Sequence, residues 1–234
     1  MSKKPKFPIS DIEMQVLLKK YPFLRYHHVW SGKQSFHGKS QNLETNHYKC
    51  LDGTGWEELW KKKYLPRLFK EYDTWSKADK KNFRFLDVKE KYGELRIYTN
   101  HSTNLEFIAE TLSEWTCAFC GKTPKENGKR VIWTTSGWIT NLCEDCARKY
   151  IETNFDTEKI DIEKTLTEMK NIQEKPFGYT RYGKDTQITV LYKETDDGWL
   201  EKDQEIEKPR TKDVCVCVCT LLIEDQFLFS IMHI

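Results

Sequence analysis

Four cysteines carry the clearest chemistry in this chain. Cys117-Ala-Phe-Cys120 and Cys143-Glu-Asp-Cys146 form two C-x2-C pairs with 22 residues between them. A single pair aims two thiolates at one point from a tight turn. Two pairs complete a tetrahedral four-sulfur shell, the donor set that selects zinc. Gly121, directly after Cys120, permits the tight knuckle because glycine tolerates backbone conformations that other residues do not. A closed shell of four thiolates leaves no position for water or substrate, so one Zn2+ ion is expected in a structural role, and chelation should loosen this part of the chain.

Other chemistries are weaker on inspection. The stretch Asn141-Leu-Cys-Glu-Asp-Cys-Ala-Arg-Lys149 resembles the tail of the His-Asn-His nuclease motif, but no histidine lies between Cys120 and Cys143 to activate water. Gly32-Lys-Gln-Ser-Phe-His-Gly38-Lys39-Ser40 has five residues between its glycines where a phosphate-binding loop needs four. His27, His28, His37 and His47 could support a second metal site or an acid–base pair. They are scattered without ligand spacing through a polar segment and read as surface residues. Cys215, Cys217 and Cys219 alternate along an apolar strand pattern, where cysteine serves as a small hydrophobe.

Residues 61–91 hold eleven Lys or Arg against five Asp or Glu, interleaved with Trp60, Tyr64, Phe69, Tyr72, Trp75 and Phe83. Basic residues among aromatics can grip a nucleic-acid backbone and stack its bases, with Lys61, Lys62, Lys63, Arg67, Lys80 and Lys81 as the candidate contacts. A lysine-solvated helix over an aromatic core face has the same composition, and that reading is preferred.

The elements that must position these residues follow from periodicity. Residues 1–9 read as a basic, disordered start. Ser10 and Glu13 have capping-box spacing for a helix to about Lys20, ended by Tyr21-Pro22. An irregular segment follows, with one strand near 26–30. Gly53-Thr-Gly-Trp56 launches an amphipathic helix through Tyr72, with a kink or break expected at Pro66. Residues 83–88 and 94–98 alternate as a hairpin around Lys-Glu-Lys-Tyr-Gly, Gly93 supplying a positive φ. Asn104 is expected to cap a helix to about Trp115. Between the cysteine pairs, 131–134 and 138–142 read as a hairpin, and a helix opens at the second pair. Ile162, Leu166, Met169 and Ile172 predict a helix stopped by Pro176 and Gly178, followed by strands at 187–194, 199–206 and 214–223.

Composition narrows the class. A length of 234 residues supports one large domain or two small ones. The hydrophobic fraction of 38% is low and the charged fraction of 32% is high, yet 8 Trp, 11 Tyr and 12 Phe do not suit a disordered chain. A net charge of +2 provides no global field toward nucleic acid or anionic lipid. The start has no apolar signal core, and the runs 214–223 and 227–234 are too short to span a bilayer, so a reducing cytoplasmic setting without membrane association is expected. In that setting eight cysteines read as metal ligands or buried residues.

Lys89-Glu-Lys-Tyr-Gly-Glu-Leu-Arg-Ile-Tyr98, Thr116-Cys-Ala-Phe-Cys-Gly121 and Leu142-Cys-Glu-Asp-Cys-Ala147, with Gly55-Trp56 before them, resemble a family of small zinc-ribbon proteins of phages, prophages and bacteria. Tyr92 stands where the family has Phe. The resemblance covers about residues 53–150 and implies a phage-like genetic setting, where small accessory proteins bind and disable host or defence components.

The expected fold is α+β: a treble-clef or zinc-ribbon module fused to a helix–hairpin–helix unit, with a C-terminal helix and antiparallel strands. The expected divisions are 1–52, 53–116, 117–155 and 156–234. The expected function is that of a non-catalytic zinc-binding accessory protein, located in the host cytoplasm if phage-encoded, that binds and inhibits a host or defence protein. The alternatives are a nucleic-acid binder using 61–91 and an enzyme built on the N-terminal histidines. A protein binder should expose Trp or Tyr anchors.

Overall fold

The computed structural model describes residues 6–27, 46–101, 103–183 and 185–210. It is a mixed α+β structure with antiparallel sheets and, among the described residues, six α-helices. The chain forms two compact units, Met1–Gln173 and Glu174–Ile234.

In the first unit, α1 (Asp11–Lys20) opens with the expected capping box. Ser10 accepts from the Glu13 N–H, and Glu13 accepts from the Ser10 N–H at 3.0 Å. The segment before α1 is tied down rather than free at residues 6 and 7: Lys6 and Phe7 donate their backbone N–H groups to the buried carboxylate of Glu57 at 3.1 and 3.3 Å. Pro22–Leu24 forms a single tight turn that sends Phe23 into the core.

The second helical stretch runs from Glu57 to Thr74 without interruption. Its first part, Leu59–Tyr64, has wide i→i+5 turns and passes directly into α2 (Leu65–Thr74). Of the kink or break expected at Pro66, the break is absent. Proline has no N–H and its ring crowds the carbonyl four residues back, and the widened turn just before it, closed by Leu65 N–H on the Trp60 carbonyl, absorbs both effects.

A short helix, α3 (Lys77–Asn82), is capped by Ser76; it has no apolar period and was not foreseen. Then β1 (Phe85–Lys91) and β2 (Glu94–Thr99) pair antiparallel, Lys91 opposite Glu94, around the two-residue turn Tyr92-Gly93. Both turn residues have positive φ, 56° and 78°, as a type I′ hairpin requires.

Helix α4 (Asn104–Glu114) is capped by Thr103 rather than Asn104, because Thr103 completes a capping box with Glu106. Its side chains saturate the free edge of β2: Ser113 Oγ accepts from Leu95 N–H at 2.8 Å, and a Glu110 oxygen from Ile97 N–H at 2.6 Å. These elements enclose an aromatic core of Phe23, Trp60, Tyr64 and Phe85 with Leu65, Leu68, Leu95 and Leu112. The Trp60 and Tyr64 rings stack at 5.0 Å.

The chain continues through β3 (Lys125–Glu126), β4 (Lys129–Thr134), β5 (Asn141–Leu142), α5 (Glu144–Asn154), α6 (Ile162–Met169) and β6 (Lys170–Ile172). Strand β4 is central, forming hairpins with β3 and β5 and pairing with β6, Val131 opposite Ile172. The helix expected to include Ile172 therefore ends at Met169. Three residues leave helical geometry to hydrogen-bond to β4, which outweighs their periodicity.

The second unit is a meander of β7 (Gly178–Tyr182), β8 (Thr186–Glu194) and β9 (Leu200–Pro209). Its small core is Val190, Tyr192, Trp199 and Leu200. Gly178, expected to end a helix, opens β7. The Thr-Asp-Asp-Gly turn is present, with Thr195 Oγ1 accepting from Trp199 N–H at 3.1 Å. The strand expected at 214–223, the run 227–234, Cys215, Cys217 and Cys219 lie outside the described residues, as do His28, His37, the glycine-rich stretch of 32–40 and most of the strand expected at 26–30.

Candidate metal centre

The first pair of thiols sits on the turn that follows α4. Gly121 N–H donates to the Cys117 carbonyl at 2.9 Å, closing the knuckle, and Gly121 takes φ 78° to do so. Cys117 N–H donates to the Lys122 carbonyl at 2.9 Å. The second pair begins α5, with Cys143 as its N-cap residue and Cys146 one turn on. Between them, Ala118 N–H donates to the Asn141 carbonyl at 2.8 Å and holds the knuckle against the β4–β5 hairpin.

All four sulfurs lie within 4.8 Å of one another, with Cys120 Sγ 3.5 Å from Cys143 Sγ. A tetrahedron of sulfurs at about 2.3 Å from a common ion has edges of about 3.8 Å, so this spacing fits one metal. Among the described residues no histidine or carboxylate joins the cluster. Cys117 and Cys143 are buried, Cys120 and Cys146 partly so.

The site's electrostatics also fit a cation. Burial pushes the Cys117 thiol up, but N–H groups at Cys143, Cys120 and Phe119 outweigh it and leave Cys117 below the ordinary thiol range. Cys143 is pushed up to about 11 and Cys146 higher still, first by burial and then by the charge on Cys117. Four thiolates so close repel one another, and a divalent ion among them removes that cost. The positive N-terminal end of α5 acts in the same direction.

Behind the thiols lies a small core of Val131, Trp133, Leu142, Ala147, Ile151 and Leu166. In front, Gly55 seats the knuckle on the aromatic region: its N–H donates to the Ala118 carbonyl at 2.7 Å, and a Cβ on Gly55 would overlap the Cys117 carbonyl oxygen. From the sequence Gly55 is punctuation before a helix; its role as the seat of the knuckle depends on a contact with residues 62 positions away.

The candidate contacts of the basic and aromatic segment fall in different settings. Lys61 is buried, not a surface contact. Its ammonium pairs with Asp52 and Glu57, and it lies over the Tyr48 ring at 4.9 Å. Lys62 is exposed over Phe7, and Lys63 is half-buried, its carbonyl accepting from Arg67. Lys80 donates to the Asp73 carbonyl, and Lys81 is exposed. The interleaved Trp60, Tyr64, Tyr72 and Phe83 are buried, and Phe69 stacks on Tyr21 at 3.9 Å. Trp60, Tyr64, Tyr72 and Phe83 are therefore core rings that do not offer faces to bases, whereas Phe69 and Trp75 are half-buried.

Of the four histidines, His27 and His47 lie among the described residues, and neither is fully exposed. His47 is 4% exposed, packed between Tyr26 and Phe85, with Nδ1 buried and without a hydrogen bond. Burial and the neighbouring His27 pull its pKa down to about 4. His27 is half-buried and lowered by burial.

One surface was missed from sequence. Trp138 and Ile139, expected in a strand, lie in the β4–β5 loop at 79% and 39% exposure, while pairing begins at Asn141. The β1–β2 turn abuts this loop. Asn141 Nδ2 donates to the Gly93 carbonyl at 3.2 Å, Ile139 packs against Gly93, and Tyr92 beside it is 56% exposed. Ser-Gly before Trp138 was the available signal of a loop.

No protein-family model, curated protein or solved structure matches the chain. Among the described residues no helix is long and apolar enough to cross a membrane.

Proposed function

We propose that the four thiols hold one structural zinc ion and that the module it organises is a treble clef, made of the Cys117–Gly121 knuckle, the β4–β5 hairpin and the N-terminus of α5. The observation that carries this reading is the four-sulfur cluster, which holds no other donor among the described residues. A shell filled by four thiolates gives no opening for substrate, which supports a binding protein over an enzyme.

The zinc module and the β1–β2 turn present Trp138 and Tyr92, residue types that dominate binding energy at protein interfaces, beside Ile139. The flanking hairpin strands carry Asp87, Lys89, Glu90, Lys91, Glu94 and Arg96, equal numbers of each sign. Such a balance suits a protein surface better than phosphates. The family resemblance extends the reading to an accessory protein of phage type, acting in the host cytoplasm on a host or defence protein.

Metal analysis of the purified protein tests the first step: one zinc per chain is expected, with none retained by Cys143→Ser. Affinity capture compared between the native chain and a Trp138→Ala/Tyr92→Ala variant tests the second, the variant keeping zinc and losing its partner. Titration with single- and double-stranded DNA and RNA at two salt concentrations decides between partner classes. Binding that weakens steeply with salt would replace the protein-partner reading with a nucleic-acid one.

A further inference from the structure

Helix α1 has two apolar sides. Met14 and Leu18 are buried in the core, whereas Ile12 and Val16, one turn apart on the opposite side, are 76% and 64% exposed. This pair forms a ridge and also one wall of a groove of about 490 Å³, whose other apolar lining includes Phe7, Pro8, Ile9 and Tyr48. Groove and ridge therefore share the same residues.

A self-complementary contact about a two-fold axis needs that arrangement, because each copy must offer what it receives. We propose that this face is an isologous interface between two copies of the chain, with their α1 helices antiparallel. With the axis at the level of Met14, Ile12 of each copy meets Val16 of the other and enters the other's groove.

Charge complementarity selects a second copy as the occupant. The exposed side of α1 is acidic at its start, with Asp11 and with Glu13, which also accepts from Ser10, and basic at its end, with Lys19 and with Lys20, which also pairs with Asp73 of its own chain. Antiparallel packing sets the basic end of each helix beside the acidic end of the other, whereas parallel packing sets like charges together. The helix dipoles add to the same preference. With a net charge of +2, two copies meet without strong long-range repulsion. Two ten-residue helices bury a modest area, so the dimer is expected to be weak and concentration-dependent. This inference does not depend on the zinc reading or on the Trp138 surface.

Sedimentation velocity of the zinc-loaded, full-length protein across the micromolar to sub-millimolar range tests it. The expected result is a monomer–dimer equilibrium that Ile12→Glu and Val16→Glu each weaken by about tenfold or more, since each sets a carboxylate against an apolar wall. Both positions are exposed, so the far-UV circular dichroism and zinc content should match the native chain. A native chain that stays monomeric throughout this range overturns the proposal. So does a dimer that persists undiminished in the double variant, which would place the contact elsewhere.

Discussion

The aromatic region around the 57–74 helix and the cysteine module meet at Gly55 and Ala118, and they keep their folds by different means. The first buries Trp60, Tyr64, Phe23 and Phe85 almost completely, along with leucines that include Leu24, Leu65, Leu68, Leu95 and Leu112. Large rings remove enough area from water to hold that region without a metal. The second has a core of eight buried residues, two of them the thiols Cys117 and Cys143, around two-residue strands and a pair of short helices. So little apolar area must be supplemented, and cross-linking four points of the chain through one ion is a common solution in small modules. On the zinc reading, adjacent stretches of one chain thus differ in whether solvent exclusion or ligation holds them.

Metal removal should break this comparison most sharply. Zinc binding to comparable four-ligand modules is worth about 10–16 kcal/mol, far more than the module's packing can replace. Chelation, or Cys143→Ser, is expected to leave 117–173 open to proteolysis while the near-ultraviolet signal of the aromatic region survives. Simultaneous loss of both would show that the two regions fold as one.

The converse experiment targets Lys61. Its ammonium is the counter-charge for buried Glu57, which also accepts the N–H groups of Lys6, Phe7 and Gly53. Lys61→Met leaves that carboxylate uncompensated, at an expected cost of about 3–5 kcal/mol. Chemical denaturation monitored at Trp60 should register the loss, with zinc stoichiometry unchanged at neutral pH.

Acid should act next, and again on the aromatic region. The folded state holds His47 neutral down to about 4, against an ordinary value of 6.5. Between those values the unfolded chain binds the proton and the folded chain does not, so stability is full above 6.5 and falls as pH drops toward 4. The loss is about 3 kcal/mol at 1.36 kcal/mol per pH unit. Asp87 opposes this slightly by favouring the charged form, while His27 adds to it. The His47→Leu variant should lose that part of the slope. Comparing the two proteins cancels the acid release of zinc, which both share.

The same contrast explains what could be read from the chain. The four-cysteine cluster is legible because both C-x2-C pairs are local patterns. The hairpin turn at Tyr92-Gly93 and the box at Ser10 and Glu13 are legible for the same reason. Lys61 looks like one of three surface lysines until the fold brings Asp52 and Glu57 to it. His47 reads as polar loop until Phe85 and Trp60 close over it, and α3 has no apolar periodicity, so its Ser76 cap was the sole local cue. At Ile172 helical spacing was real but lost to the open edge of β4. Readings failed where a distant contact decided the outcome, and the aromatic region depends on such contacts more than the cysteine module does.

The smallest expected effect has the opposite sign. Tyr92 holds φ 56°, a region that costs a residue with a Cβ roughly 1–2 kcal/mol and that Asn tolerates better. Tyr92 is 56% exposed. Backbone strain of this kind clusters at functional positions. Tyr92→Asn should therefore raise stability, by about 1 kcal/mol in a denaturant midpoint series, while, on the proposed function, weakening capture of a partner at the Trp138 and Ile139 surface. If Tyr92→Asn gained stability and kept partner capture, the binding surface would contract to the β4–β5 loop. A loss of stability would instead mean that the ring, with Lys91 lying over it at 5.3 Å, helps to hold the turn.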